Sequence, residues 1–161
     1  MHSNIMENDK KYLLRSIEIA KESIVNGGGP FGAVIVKGDK IISEASNRVV
    51  LNNDPTAHAE ILAIRQASTQ LQTFELNDCT LYTSCEPCPM CLGAIYWSGI
   101  RKIVYSSDRT DAERAGFDDK FIYNEIMLEP SKRGITFIRS SDPGGEDVFR
   151  MWNEKDDKIV Y

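Results

Sequence analysis

Phe31-Gly32-Ala33-Val34-Ile35-Val36-Lys37-Gly38-Asp39-Lys40-Ile41-Ile42-Ser43-Glu44-Ala45 is the stretch on which the architecture turns. A short apolar run, Phe31 to Val36, meets the turn signal Gly38-Asp39, and a second run follows from Lys40 to Ala45; together they read as a β-hairpin. Upstream, Leu13, Leu14, Ile17, Ala20, Ile24 and Val25 fall on one helical stripe between about Asp9 and Val25, and Asn26-Gly27-Gly28-Gly29-Pro30 stops it. Downstream, Asn52-Asn53-Asp54-Pro55-Thr56 reads as a loop ending in helix-capping chemistry. Ile61, Leu62, Ile64 and Ala67 then give helical spacing from Ala57 to Leu71. Strands are expected over Thr80 to Thr83, Lys102 to Tyr105 and Thr136 to Ile138, and helices over Pro89 to Trp97 and Val148 to Asn153. A hairpin followed by alternating helices and strands is an α/β pattern. Helices should cover both faces of one mostly parallel sheet, made mixed by the hairpin, with the two central helices as crossovers.

A chain of 161 residues suits one domain, residues 1–161, with its own core, and 42% hydrophobic with 27% charged residues fits a water-soluble fold. There is no apolar run of membrane-spanning length, and Met1 to Asp9 lacks a basic-then-apolar leader, so a cytoplasmic protein without a membrane partner is expected. The formal net charge of −5 gives phosphate backbones no bulk attraction, which favours a small substrate over nucleic acid.

The chemistry-bearing residues lie in two clusters. Of the four cysteines, Cys79, Cys85, Cys88 and Cys91, the last three crowd into seven residues, a spacing suited to metal or catalysis more than to disulfides. Pro87-Cys88-Pro89-Met90-Cys91 places two thiols three residues apart at an expected helix start, where both sulfurs can share one face and the dipole favours thiolate. The second cluster is His58-Ala59-Glu60. Mid-helix, two such residues would sit about 200° apart. At a first turn beside a cavity, one can ligate a metal while the other reaches its bound water. Two sulfurs and an imidazole suit Zn²⁺, one per chain, and three ligands (His58, Cys88, Cys91) leave a fourth position for water. Two thiolates blunt the acidifying power of the metal, so a carboxylate, Glu60, is needed to move protons. A closed structural site using Cys85 as fourth ligand is the alternative, but it leaves Glu60 without a task. Cys79 reads as a buried strand residue.

His58-Ala59-Glu60 paired with Pro87-Cys88-Pro89-Met90-Cys91 resembles the cytidine/deoxycytidylate deaminase superfamily, whose nucleobase deaminases carry this signature. Gly28-Gly29-Pro30-Phe31-Gly32, Asn53-Asp54-Pro55-Thr56-Ala57-His58-Ala59-Glu60, Leu81 to Trp97 and especially Ala115-Gly116-Phe117-Asp118-Asp119 look most like the bacterial guanine deaminases within it. Between about Glu129 and Asp147 little matches. The resemblance implies a three-layer α/β/α cytidine deaminase-like fold with a five-stranded mixed sheet. It also implies a homodimer, with or without exchanged C-terminal segments, and a lid from about residue 145 to Tyr161. It assigns base reading to Asn47, walls to Phe31 and Trp97, a lid residue to Tyr161 and a second carboxylate to Asp119, which would either accept a ring N–H or pass a proton to the leaving amino group. The implied reaction is hydrolysis of a free purine base, guanine plus water giving xanthine plus ammonia, by zinc-bound hydroxide with Glu60 as proton shuttle. A tRNA adenosine deaminase, a deaminase of another small ring such as cytosine, and a non-catalytic zinc module are the competing readings.

Overall fold

Strand β1 (Gly32–Lys37) is the centre of the structure, with Ala33, Val34, Ile35 and Val36 all nearly without solvent contact. Such a run, apolar on both faces, belongs inside a sheet covered on both sides. The computed structural model describes residues 6–141 and 144–161, and the chain divides into two compact units, one ending at Lys120 and one running from Phe121 to Tyr161. In chain order the elements of the first are α1 (Glu7–Val25), β1, β2 (Lys40–Ser46), the short α2 (Val49–Asn52), α3 (Ala59–Leu71), β3 (Cys79–Cys85), α4 (Pro89–Trp97), β4 (Lys102–Ser107) and α5 (Arg109–Arg114).

The hairpin forms as expected, with Gly38 at φ 59° in the turn. The strand order is β2-β1-β3-β4, in which β1 is antiparallel to both β2 and β3, and β3 is parallel to β4. The sheet is therefore mixed but not mostly parallel. The crossover through α3 does return β3 in the direction of β2, yet β1 occupies the slot between them, so the ladder neighbour runs the opposite way.

Among the described residues the sheet has four strands, not the expected five. Thr136 to Ile138 carries no strand: Phe137 and Ile138 are exposed, and a strand forms only where a neighbour completes its ladder.

Period-two alternation sorts the strand side chains into two cores. Ala33, Ile35 and Leu81 face α3, meeting Ala59, Ala63, Ala67 and Ile95. Val34, Val36, Tyr82 and Val104 face α1, meeting Tyr12, Leu13 and Ile19. The result is three layers, α/β/α. Helix α1 buries only half of the stripe read from its apolar residues: Leu13 and Ala20 are buried and Ile17 packs against the core, but Leu14, Ile24 and Val25 are exposed, and Asp9, Tyr12, Ser16 and Ser23 turn inward. Close approach is the reason. A Cβ on Gly32 would lie 2.2 Å from the Ser16 carbonyl oxygen and 2.7 Å from the Ala20 nitrogen, so strand and helix backbones nearly touch and only small residues fit.

Asp9 fastens the amino-terminal turn of α1 to the sheet. It accepts a hydrogen bond from the Tyr82 hydroxyl at 2.7 Å and from the Lys102 ammonium at 2.8 Å. The Lys102 hydrogen bond holds its carboxyl below the ordinary 3.8, against the opposing effect of burial. Helix α6 (Lys120–Ile126) opens on the last residue of the first unit, and the second unit holds the rest of it, a 3-10 turn (Pro130–Lys132) and α7 (Gly144–Glu154). Arg133 caps α6 there, its Nε donating to the carbonyls of Glu125 and Leu128 at 3.1 and 3.0 Å.

A buried carboxylate with lowered pKa stabilises the fold fully above the ordinary carboxylate value, and loses that contribution as pH falls through its folded pKa. Asp9→Asn should therefore cost about 2 kcal/mol near neutral pH. The gap to the unaltered protein should close on acidification below about pH 4, as read by urea denaturation across pH.

Candidate active site

Both sequence clusters sit where helices begin. His58 immediately precedes α3 with extended backbone (φ −69°, ψ 154°), and Cys88 precedes α4 in the same way (φ −67°, ψ 169°), with Pro89 opening the helix. Glu60 and Cys91 occupy the first turns. Because His58 is not helical, the separation of about 200° that two helical positions would impose does not apply, and it can approach the same space as Glu60. The loop before it is held by Asp54, whose Oδ1 accepts from the Thr56 N–H at 2.8 Å and its hydroxyl at 2.7 Å. This polar turn stands where a side-chain cap was expected; α3 has none. Its first N–H groups point at the site with a positive dipole end.

His58 Nδ1 lies 3.5 Å from Cys88 Sγ and 3.5 Å from Cys91 Sγ, and the three donor atoms all fall within 4.8 Å of one another. With usual zinc bond lengths, a tetrahedral centre requires an N···S edge of about 3.6 Å. The donor set and its spacing fit zinc. The Cys88 thiol is pulled down to about 4, first by its hydrogen bond with Cys91 and then by His58, with burial opposing; Cys91 is pushed up by the same bond to Cys88. Cys85 faces elsewhere: its Sγ donates to the Asp108 carbonyl at 3.6 Å, and burial pushes its thiol up to about 11. Among the described residues, the cluster consists of His58, Cys88 and Cys91, with neither Cys85 nor Glu60 as a further ligand.

Glu60 is 5% exposed. Its Oε1 accepts the Thr83 hydroxyl at 3.0 Å and its Oε2 accepts the Cys91 S–H at 3.5 Å. Burial raises its carboxyl above the ordinary value, which suits a group that must hold a proton and give it up. Thr83 had not been singled out from the sequence. The available signal was a polar residue in step with Leu81 on the α3-facing side of an apolar strand, and it is completely buried.

Asp119 lies at the end of the first unit, partly buried; burial raises its carboxyl, and the charge of nearby Cys88 adds to this. Asn47 is buried at the end of β2, with its Oδ1 accepting the Val49 N–H at 3.2 Å and its backbone N–H donating to the Phe31 carbonyl at 3.0 Å. That bond brings Asn47 and Phe31 together, and the Phe31 ring meets Phe117 edge-on at 4.9 Å. Trp97 is not brought to the cluster. It ends α4, about 9 Å along the axis from Cys91, and is 72% exposed. Tyr161 is exposed at the end of the second unit.

The profile of the cytidine and deoxycytidylate deaminase zinc-binding region matches residues 6–107, which include all three metal ligands and Glu60. The chain belongs to the cytidine and deoxycytidylate deaminase family. Among its relatives, the guanine deaminase of Bacillus subtilis is 48% identical over 155 residues, covering 96% of this chain and 99% of that protein. Its crystal structure superposes with a TM-score of 0.92 over 94% of this chain and 98% of that one. The tRNA-specific adenosine deaminase of Aquifex aeolicus is 46% identical over 123 residues, or 76% of this chain and 78% of that protein. This chain is thus a deaminase-family member in which His58, Cys88 and Cys91 lie close enough to hold a metal, with Glu60 beside them.

Three substitutions test the centre. Cys88→Ala should lose the metal while Cys85→Ala keeps close to one zinc per chain, as measured by elemental analysis of the purified proteins. Thr83→Val should retain zinc but lower kcat about tenfold, because the buried Glu60 carboxylate loses a hydrogen bond.

Proposed function

We propose that this protein hydrolyses a free purine base, converting guanine and water to xanthine and ammonia. The observation that carries the chemistry is Glu60, buried between Thr83 and Cys91 at the rim of a three-ligand metal centre. The substrate class follows from the likeness to a guanine deaminase along nearly the whole chain.

His58, Cys88 and Cys91 would hold the zinc, which when bound supplies a Lewis acid that lowers the pKa of water. Glu60 takes one proton from the attacking water and delivers it to a ring nitrogen of the base; it then takes the remaining proton from the hydroxyl added to C2 and passes it to the amino group, which departs as ammonia while the carbonyl forms. A raised carboxyl pKa favours that alternation between states. Asn47 reads the edge of the base through its amide. Asp119 provides the second carboxylate, accepting a ring N–H or passing a proton to the leaving group. A carboxylate paired with the N9–H of a free base also disfavours the nucleoside, which lacks that hydrogen.

Phe31 and Trp97 are the proposed walls for the base and Tyr161 the proposed lid residue, in a homodimer with or without exchanged C-terminal segments. Helix α4 supports an assembly: it carries no charged residue, and Met90, Tyr96 and Trp97 leave its apolar surface open. All four cysteines are free, as suits the reducing cytoplasm, and among the described residues no helix is long and apolar enough to cross a membrane.

Ammonia release from guanine, guanosine, adenine and cytosine by the zinc-loaded protein tests this reading, alongside inosine formation in tRNA. Guanine should be turned over fastest, and Glu60→Gln should lower its turnover by about a thousandfold with zinc retained. Faster release from guanosine, or inosine in tRNA without activity on guanine, would overturn the assignment.

A further inference from the structure

The run Gly27-Gly28-Gly29 does three different jobs. Gly27 takes φ 81° and ends α1, a left-handed turn that favours glycine. Gly28 is required by the backbone around it: a Cβ there would stand 2.5 Å from the Asn47 carbonyl oxygen and 2.4 Å from Ser23 Oγ. Gly29 differs from both. Its φ is not positive, so its own conformation does not call for glycine. The space beside it does. A Cβ on Gly29 would lie 2.9 Å from Asn47 Cγ, 2.9 Å from Asn47 Oδ1 and 3.3 Å from Asn47 Cβ, so its three nearest atoms are one side chain.

That side chain has little freedom to withdraw. Asn47 is buried, and its Oδ1 is held by the Val49 N–H at 3.2 Å. The two residues are also tied through the backbone of Phe31, which donates its N–H to the Gly29 carbonyl at 2.9 Å and accepts the Asn47 N–H at 3.0 Å. Ser23 Oγ adds a bond to the Asn47 carbonyl at 3.3 Å. The terminal torsion of an asparagine is broad when nothing restrains it. Here a glycine α-carbon closes one side of the amide and a backbone N–H engages its oxygen.

We propose that Gly29 is a positioning residue that sets substrate specificity: by carrying no side chain it fixes the angle at which the Asn47 amide meets the base. This rests on the reading of Asn47 as the residue that contacts the base. A methyl group at position 29 must displace the amide, because the amide and not the main chain is what it strikes.

A double-mutant cycle in the zinc-loaded protein tests the proposal, with guanine turnover, xanthine binding and zinc content measured for each variant. Asn47→Ala should lower kcat/KM for guanine. Gly29→Ala should lower it about tenfold or more and weaken xanthine binding, with zinc content unchanged, since small misplacements of a positioning group are costly. The double variant should match Asn47→Ala alone, because Asn47 Cγ and Oδ1, the two atoms within 3.0 Å of the methyl, are gone. If Gly29→Ala fails to fold, restored folding of the double variant supports the same contact, and continued failure overturns it. Additive losses, or unchanged activity of Gly29→Ala while Asn47→Ala is impaired, would overturn the role of Gly29 alone. Unchanged guanine turnover in Asn47→Ala would instead overturn the reading of Asn47 and the proposal built on it.

Discussion

Two helix N-termini aimed at one point are the constraint on which the site depends. His58 and Cys88 each stand just before a helix, where free N–H groups and the positive dipole end stabilise thiolate and carboxylate. Neither helix brings its partner residue into place by itself. The sheet does this: β3 runs directly into the Cys88 turn, and α3 lies on the same sheet face through the small residues Ala59, Ala63 and Ala67, which let it pack close to Ala33 and Ile35. Spacings of 3.5 Å between ligand atoms on different helices follow from that close packing.

Glu60 shows what the arrangement costs and how the cost is offset. A carboxylate at 5% exposure would be expensive without partners. The Thr83 hydroxyl supplies one at 3.0 Å, so the group stays buried and oriented beside the ligands. Burial raises its proton affinity at the same time. The same principle governs Asp9, where Tyr82 and Lys102 make an inward-facing charge on α1 tolerable; there the ammonium dominates and the carboxyl is lowered instead. The same carboxyl group is tuned in opposite directions by its neighbours.

Much of the fold was legible because strand periodicity and turn chemistry are local. The hairpin through Gly38, the ends of α3 and α4 and both metal clusters could be read from short windows. Elements that depend on distant partners could not. On the inward face of α1, Asp9 and Ser16 look solvent-facing in the sequence, and only Tyr82, Lys102 and Gly32 beside them explain their burial. Thr136 to Ile138 has the composition of a strand, but a strand exists only when another lies alongside it. Thr83 was overlooked for the same reason, since a threonine in a strand is ordinary until a carboxylate is found 3.0 Å away.

The sequence by itself determined the donor chemistry: a histidine, two cysteines and a glutamate at helix starts, because side-chain type and spacing to a proline or a turn are written locally. Tertiary structure alone decided that His58 leaves its helix to face Cys88 and Cys91, that Thr83 holds Glu60, and that Gly29 abuts Asn47. Each is a contact between segments far apart in the chain, and such contacts come from the packing of the sheet and its helices, which no short window of residues contains.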